Sequence, residues 1–342
     1  MGIDFPIFLC VAAGLSALST YGLILLFRKR GLPRRLTEKT AYRKKKVIPA
    51  YGGIAIYLSV WLTLGIISLK NGFFPREMMG LWIASSLILL LGIWDDTCKV
   101  NYFIKFIFQI FSALILYCYG FRAEYFTHPF TGESVPLGFM SIFATVFWYL
   151  LIINAINLID GLDGLATGVS AIAFWVLNAL SHFGNVITGV LLGALIGFLP
   201  FNFFPARIFL GDTGSQLLGL LLAAMILLGS FKASVSIALS IPLSILMIPV
   251  INTLLIAIVR VGQGRNPFQS KGGFHLHYML IRMGLTHRLT VLILYLVSLF
   301  FGYIALWMLR HASRPVSFWV TVASILLLAV VYFGIDRVRQ RH

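Results

Sequence analysis

Residues 139–168 read FMSIFATVFWYLLIINAINLIDGLDGLATG, an apolar run that passes directly into a segment of asparagine, aspartate and glycine. No charged residue interrupts this run before Asp160. An apolar stretch of about 20 residues is long enough to cross the hydrocarbon core of a bilayer as a helix. We therefore predict a transmembrane helix over 139–156, with a polar, glycine-bearing segment at one membrane surface.

Apolar stretches of this kind recur along all 342 residues, which are 59% hydrophobic and only 11% charged. Soluble domains carry about 25% charged residues, and a soluble helical protein would need a polar outer face on most helices, which is not visible here. We predict one all-α membrane domain over residues 1–342. Its eleven predicted transmembrane helices span 5–27, 50–69, 78–94, 103–119, 139–156, 169–183, 186–203, 214–231, 234–259, 289–309 and 317–335.

The basic residues predict the orientation of these helices. Of 27 lysines and arginines, 21 fall in one set of predicted loops and six in the other, and ten of the 21 lie within 28–46. Because cytosolic loops are enriched in Lys and Arg, the N-terminus is predicted outside and the C-terminus in the cytosol. The run at 28–46 either serves topology alone or also binds anionic lipid headgroups. The net charge of +16 follows from these loops, so we expect no nucleic-acid partner.

Five carboxylates collect in the predicted cytosolic loops, beside long apolar segments. Carboxylates close to the hydrocarbon core are expensive and usually functional. Any one of them could instead be a helix cap or pair with a nearby lysine. Five on one face, contributed by three separate loops, indicate a reaction site formed by Asp95, Asp96, Asp160, Asp163 and Asp212.

The first motif is the pair Asp95-Asp96, which is followed by Lys105 and Gln109. Adjacent residues on a helix point about 100° apart, so the two carboxylates cannot do the same job. One can face a reaction centre while the other orients a lysine or an amide. Lys105 and Gln109 are four residues apart and share a helix face.

The second motif is the segment 154–168, in which Asp160 and Asp163 would share a face if that part were helical. Its glycines allow close approach of a ligand or another helix. Small-residue helix packing would explain the glycines but not the asparagines and aspartates beside them. The third motif is 201–215, where Asp212 is either an N-cap of the eighth span or a ligand for a Mg²⁺-bound phosphate.

The fourth motif lies in the longest predicted cytosolic loop, 260–288, and contains His275, His277 and Arg282. Two histidines without a cysteine or a nearby acid make a poor zinc site. With the surrounding lysine and arginines they fit better as a collar for phosphate charge. Elsewhere, 120–138 could form a small hairpin on the outer side. The ninth span, which contains Pro242 and Pro249, should be kinked or broken.

These motifs, in this order, resemble the polyprenyl-phosphate N-acetylhexosamine-1-phosphate transferases, the WecA/MraY superfamily. The resemblance begins at Ile48-Pro49-Ala50-Tyr51-Gly52-Gly53 and extends through the aspartate pair, the segments 154–168 and 202–215, and the histidine loop. It implies transfer of a sugar phosphate from a UDP-N-acetylhexosamine to undecaprenyl phosphate, with release of UMP. It also implies a bacterial cytoplasmic membrane protein with a cytosolic active site, in contact with membrane lipids, and leaves a homodimer open.

The resemblance also assigns roles to residues of this chain. Asp212 would bind Mg²⁺, with Mn²⁺ as an alternative ion. Asp95 would be the base or orienter for the lipid phosphate, with Asp96 and Lys105 completing the catalytic group. The expected nucleotide-side residues are Asn157, Asp160, Asp163 and Asn202, and the residues expected to bind the diphosphate or sugar are His275, His277 and Arg282.

The histidine loop narrows the branch of the family. Its His-Leu-His sequence at 275–277 resembles the GlcNAc-1-phosphate transferases, whereas the muramoyl-pentapeptide transferases carry consecutive histidines. The chain departs from that branch at Gly272, where an aspartate is usual, and at Tyr278, where a last histidine is usual. Both positions lie in the loop expected to recognise the sugar.

Three other classes of protein are alternatives to this transferase family. A transporter of an anionic or lipid-linked solute would fit broken helices, but the acids lie at loop edges and no inverted repeat is apparent. A weakly active relative that serves as a scaffold in polysaccharide assembly would fit the altered histidine loop. A CDP-alcohol phosphotransferase would need a different sequence after Asp160-Gly161.

Overall fold

The computed structural model describes residues 4–30, 48–128, 130–131, 133–180, 186–228, 240–262, 264 and 275–340. Within these ranges the chain forms helices and one small hairpin. In order they are α1 (Asp4–Arg30), α2 (Gly52–Asn71), α3 (Arg76–Cys98), α4 (Tyr102–Cys118), β1 (Tyr125–Thr127), β2 (Ser134–Pro136), α5 (Met140–Ile159), α6 (Leu165–Leu180), α7 (Val186–Asn202), α8 (Gly211–Leu228), α9 (Ser240–Ile245), α10 (Met247–Gly262), α11 (Leu276–Arg282), α12 (His287–His311) and α13 (Arg314–Gln340).

The helices confirm a polytopic membrane protein. In the described ranges, seven helices are at least 18 residues long and apolar enough to cross a bilayer: α1, α2, α3, α5, α8, α12 and α13. Four shorter apolar helices, α4, α6, α7 and α10, overlap four of the other predicted spans. The count of eleven spans and the placement of the termini stay predictions. The basic run at 31–46 and residues 234–239 of the ninth span lie outside the described residues.

The predicted break in the ninth span is confirmed. Helix α9 ends at Ile245 and α10 begins at Met247, with Leu246 between them in a turn. Pro249 has no backbone N–H, so it cannot bond the carbonyl of Ile245, the residue at which α9 ends. The hairpin predicted within 120–138 is also present: β1 and β2 pair antiparallel, with Phe126 opposite Val135.

Helix α8 lies at the centre of the bundle. It packs against α2, α3, α5 and α6, and every residue from Thr213 to Ile226 is buried. A helix that is apolar on all sides must be surrounded by protein or lipid. Its two ends are only partly buried, and Asp212 in the first turn is the charged side chain of α8.

Two glycines let other backbones reach this first turn. A Cβ at Gly53 of α2 would overlap the backbone of Gly214, and one at Gly92 of α3 would overlap Thr213. The start of α2 also pairs with the segment that leads into α8: Gly52 N–H donates to Phe209 O at 3.0 Å, and Phe209 N–H donates to Pro49 O at 2.8 Å. The segment 48–53 therefore holds the start of the central helix.

Helices α1 and α7 approach equally closely through a row of glycines four residues apart, Gly189, Gly193 and Gly197. A Cβ at Gly193 would overlap the carbonyl oxygen of Leu9, and one at Gly197 that of Ala13. Small residues at such spacing allow van der Waals contact between helix backbones in a bilayer. The α1–α7 contact should therefore be sensitive to a single added methyl group.

We expect Gly193→Ala to destabilise the protein by about 1–3 kcal/mol, because the methyl group must displace backbone of α1. The measurement is the apparent melting temperature in detergent. Gly65→Ala on α2 is the matched control, since nothing lies within 4 Å of the added Cβ; it should be neutral or stabilising by up to about 1 kcal/mol. Equal melting temperatures for the two variants would contradict the close α1–α7 packing.

Candidate active site

The side chain of Asp96 caps the first turn of α8 from the end of α3. Its Oδ1 accepts the backbone N–H of Asp212 at 3.0 Å, and its Oδ2 accepts the backbone N–H and the hydroxyl of Thr213 at 2.9 and 2.5 Å. The first N–H groups of a helix have no partner within the helix, and a buried helix end needs such acceptors. Asp96 is 6% exposed, so it holds the helix rather than facing substrate.

Asp95 has hydrogen-bond partners different from those of Asp96, as expected for adjacent helix residues whose side chains point about 100° apart. It accepts the backbone N–H of Val100 at 2.7 Å and forms an ion pair with Lys105 at the start of α4. The Lys105 ammonium also lies 3.7 Å from Oδ2 of Asp212. The two carboxylates thus do different jobs, as expected, but both are buried, so neither is the one that faces an open reaction centre.

Asp212 is the carboxylate of this group that faces the open side. Its side chain is 29% exposed and that of Lys105 is 25% exposed, whereas Asp95 is 3% exposed. The amide of Asn157 on α5 donates to Asp212 Oδ1 at 2.7 Å and to the hydroxyl of Ser215 at 2.8 Å. The alternative that Asp212 is itself the N-cap does not hold, because α8 begins at Gly211 and Asp96 supplies the cap.

The segment between α5 and α6 forms a tight turn over 160–164, so Asp160 and Asp163 do not share a helix face, contrary to the helical alternative. Asp163 Oδ2 accepts the backbone N–H of Ala206 at 3.1 Å. Gly164 has a φ of +82°, a conformation that glycine adopts without strain. The sequence pattern alone could not distinguish a turn from a helix here, since the same glycines suit both.

Asn202 lies behind this turn and is 3% exposed. Its carbonyl accepts the hydroxyl of Thr167 at 2.7 Å, and its amide donates to the carbonyl of Ile208 at 3.0 Å. Both contacts fasten the segment that leads into α8. The structure therefore places this predicted substrate-binding residue in a supporting position.

The histidine loop reaches the same turn. Residues 265–274 lie outside the described residues, but His275 directly precedes the short helix α11. The ring of His277 lies against Gly161, where a Cβ would overlap it, and the Tyr278 hydroxyl approaches Gly161 O at 3.5 Å. Arg282 is exposed at the end of α11.

His275 and His277 are both buried, with ring centroids 5.3 Å apart. Burial, together with the neighbouring Arg260 guanidinium, lowers the pKa of His275 to about 4. Its imidazole is therefore neutral near pH 7. His275 therefore contributes a hydrogen-bonding group, and not a positive charge, to the side chains expected to bind phosphate.

Two residues of α12 that were not predicted as site residues also clamp the turn. The Nε2 of His287 accepts the backbone N–H of Asp163 at 3.0 Å, and the Tyr295 hydroxyl donates to Gly164 O at 2.5 Å. They lie more than 120 residues from their partners in the chain. A His or Tyr at the start of an apolar span gives no local signal, so only the fold could identify them.

The carboxylates around Asp212 fit a divalent cation that is held mainly by its substrate. Among the described residues, no group of three or more His, Cys, Asp or Glu side chains converges as a metal cage would. Mg²⁺ usually takes one or two carboxylates and completes its shell with substrate phosphates and water. The exposed Asp212, with Asp95 joined to it through Lys105, fits that mode of binding.

Comparison with known proteins gives the same family that the sequence motifs resemble. The family described as Glycosyl transferase family 4 matches residues 78–230. The "Probable undecaprenyl-phosphate N-acetylglucosaminyl 1-phosphate transferase" of Bacillus subtilis is 34% identical over 292 residues, which is 84% of this chain and 80% of that protein. The "Decaprenyl-phosphate N-acetylglucosaminephosphotransferase" of Mycolicibacterium smegmatis is 34% identical over 279 residues, 72% of this chain and 68% of that protein.

A more distant branch is also similar. The "Phospho-N-acetylmuramoyl-pentapeptide-transferase" of Listeria monocytogenes is 34% identical over 203 residues, 55% of this chain and 63% of that protein. The GlcNAc-type relatives match over a larger part of the chain, as the His-Leu-His sequence predicts. The chain thus belongs to glycosyl transferase family 4, within the superfamily of polyprenyl-phosphate N-acetylhexosamine-1-phosphate transferases.

Proposed function

We propose that this protein transfers an N-acetylhexosamine-1-phosphate group from a UDP-sugar to undecaprenyl phosphate, releasing UMP. The observation that carries the proposal is the Asp95–Lys105–Asp212 group at the start of the buried helix α8. Phosphoryl transfer depends mainly on positioning and on neutralising charge, and this group supplies both. A phosphate oxygen of the lipid would bond to the sugar-bearing phosphorus while the bond between that phosphorus and UMP breaks.

Charge balance supports a divalent cation at this site. Asp95 and Asp212 carry two negative charges and Lys105 one positive charge, so the group by itself repels a diphosphate. We propose that Asp212 binds Mg²⁺, with Mn²⁺ as an alternative, with substrate oxygens in the remaining positions. When bound, the ion supplies charge neutralisation on the donor diphosphate.

The geometry divides the other aspartates into different roles. Asp95 is almost fully buried and contacts the backbone of Val100 and the side chains of Lys105 and Asp212, which favours orientation of these two groups over proton abstraction. Lys105 is then the group that attracts the lipid phosphate. Asp96 acts indirectly, because it caps α8 and so fixes where Asp212 points.

The nucleotide and sugar side is proposed at the 160–164 turn and the start of α11. Asp160 lies in this turn and the ring of His277 lies against it at Gly161. We assign the exposed Arg282, at the end of α11, to the diphosphate, and the neutral His275 to a hydrogen bond with a sugar or phosphate oxygen. Asp163 and Asn202 support the turn from behind. Tyr278, which stands where a histidine is usual, packs on His277 with a centroid distance of 4.3 Å, and so could alter which sugar is accepted.

We also propose that the site faces the cytosol, in the cytoplasmic membrane of a bacterium. Support comes from the uneven loop charges, which assign the site end of α3 and the start of α4 to the inside. The β-hairpin follows the opposite end of α4, so it would lie outside. Membrane lipids would then surround the helices, and the lipid substrate would reach the site from the bilayer. A homodimer stays a prediction.

The direct experiment gives purified protein Mg²⁺, undecaprenyl phosphate and a panel of UDP-N-acetylhexosamines. We expect UMP release and a new diphospholipid with at least one donor, and the donor that works identifies the sugar. Reactions without lipid phosphate are the control for simple hydrolysis. If no donor yields UMP while the protein is folded, the transferase proposal fails and the scaffold alternative returns.

Asp212→Asn should lower turnover by about 100-fold or more and remove the dependence of rate on Mg²⁺ concentration, because the carboxylate that binds the ion is lost. Turnover is measured as UMP release across a Mg²⁺ titration. Glu124→Gln is the matched control, since it removes a carboxylate beside the outer hairpin. A mutant with normal Mg²⁺-dependent turnover would exclude Asp212 from the metal site.

Two native cysteines test the orientation. Cys98 ends α3 beside the site, whereas Cys118 ends α4 near the hairpin, and both are exposed. A membrane-impermeant thiol reagent applied to intact cells should label Cys118 and leave Cys98 unlabelled until the membrane is opened. Each site is read from the variant in which the other two cysteines are replaced by serine. Labelling of Cys98 in intact cells would reverse the proposed orientation.

A further inference from the structure

A second polar layer lies below the site, where the surrounding helices are apolar. Gln109 of α4 donates from Nε2 to Gln216 Oε1 of α8 at 3.1 Å, and its own Oε1 accepts from Asn154 Nδ2 of α5 at 2.9 Å. Both glutamines are 1% exposed. Three helices that meet at the site are thus joined again inside the bundle by amide groups alone.

Each member of this layer lies about one helical turn from a member of the site. Gln109 follows Lys105 by four residues, Gln216 follows Asp212 by four, and Asn154 precedes Asn157 by three. Residues at these spacings share a helix face, about 5.4 Å apart along the axis. The amide layer therefore repeats, one turn deeper, the arrangement of Lys105, Asp212 and Asn157.

The direction of the hydrogen bonds in the amide layer follows from one backbone group. Asn154 Nδ2 also donates to the carbonyl of Leu150 in its own helix, at 2.7 Å. The amide nitrogen of Asn154 must face both acceptors, so Gln109 presents its carbonyl to Asn154 and its nitrogen to Gln216. This series of hydrogen bonds ends at Nε2 of Gln216, which has no acceptor among the described residues.

Lys105 depends on α4 for its position, and α4 packs mainly against α3 and α5. Its direct side-chain links to α8 are the ion pair of Lys105 with Asp212 and the bond between Gln109 and Gln216. Apolar contacts tolerate small rotations and shifts of a helix. A hydrogen bond between buried amides does not, because breaking it leaves polar groups without partners in a low-dielectric interior.

We propose that Gln109 and Gln216, joined to Asn154, are positioning residues that hold α4 against α8 in the register at which Lys105 reaches Asp212. This inference rests on the proposed function for its effect on turnover. Its structural part, the placement of Lys105, is independent of the reaction. The glutamines act through Lys105 and Asp212 and do not contact substrate.

The test compares Gln109→Leu, which removes both amide bonds, with Gln109→Glu, which keeps the shape and the acceptor but cannot donate to Gln216 when ionised. Ser112→Ala, one turn further along α4 and fully buried, is the matched control. In Gln109→Leu, kcat should fall about 10- to 100-fold, because small misplacements of a reacting group have effects of this size. KM for the UDP-sugar should change less than about threefold, whereas KM for the lipid phosphate should rise, because Lys105 is the proposed contact of that phosphate.

A second readout does not use the reaction. Acylation of Lys105 by an amine-selective reagent, followed by mass spectrometry, reports how firmly the ammonium is held between its two carboxylates. Its rate should rise at least about threefold in Gln109→Leu and stay unchanged in Ser112→Ala, as expected when an ion pair is loosened. In the Gln109→Leu background, adding Gln216→Leu should have little further effect, because their bond is already absent.

The outcomes separate the two proposals. Turnover of Gln109→Leu within twofold of wild type, or a lower melting temperature with unchanged Lys105 acylation, would overturn the positioning role. If Gln109→Leu does not fold, Gln109→Glu decides by the same two readouts. A wild-type protein that releases no UMP would defeat the proposed function, while the acylation rates would still decide whether the amide layer places Lys105.

Discussion

The structure depends on one interaction, the capping of α8 by the carboxylate of Asp96. A helix that is buried from Thr213 to Ile226 needs acceptors for its first N–H groups, which have no partner within the helix. Asp96 provides two oxygens for Asp212, Thr213 and the Thr213 hydroxyl. That contact ties the end of α3 to the start of α8 and so determines where the side chain of Asp212 lies.

Close packing and electrostatics follow from this contact. Gly53 and Gly92 allow two helices to approach the α8 backbone, which leaves no space for a side chain there. With α3 fixed, Asp95 points to the neighbouring position and holds Lys105. The result is a compact group of opposite charges that stays partly exposed only at Asp212 and Lys105, the two side chains best placed to meet phosphate groups.

Much of this could be predicted from the sequence, because the relevant signals are local. The long apolar runs, the break at Pro249, the outer hairpin and the different roles of Asp95 and Asp96 each follow from composition or helix geometry within a few residues. Other expectations failed where local rules allow two outcomes. Asp160 and Asp163 lie in a turn rather than on a helix, and Asp212 is not the N-cap of α8.

By itself, the sequence determined that the chain spans a membrane, that several acids lie at the ends of apolar segments, and to which family its motifs belong. The patterns of hydrophobicity and charge involve residues that are close together in the sequence, so the sequence alone reveals them. The tertiary structure decided which acid supports and which faces outward, and it added His287 and Tyr295 to the turn. Several of these roles depend on contacts between residues more than 100 positions apart, such as Asp96 with Thr213 and His287 with Asp163, and only the packing of the helices brings such residues together.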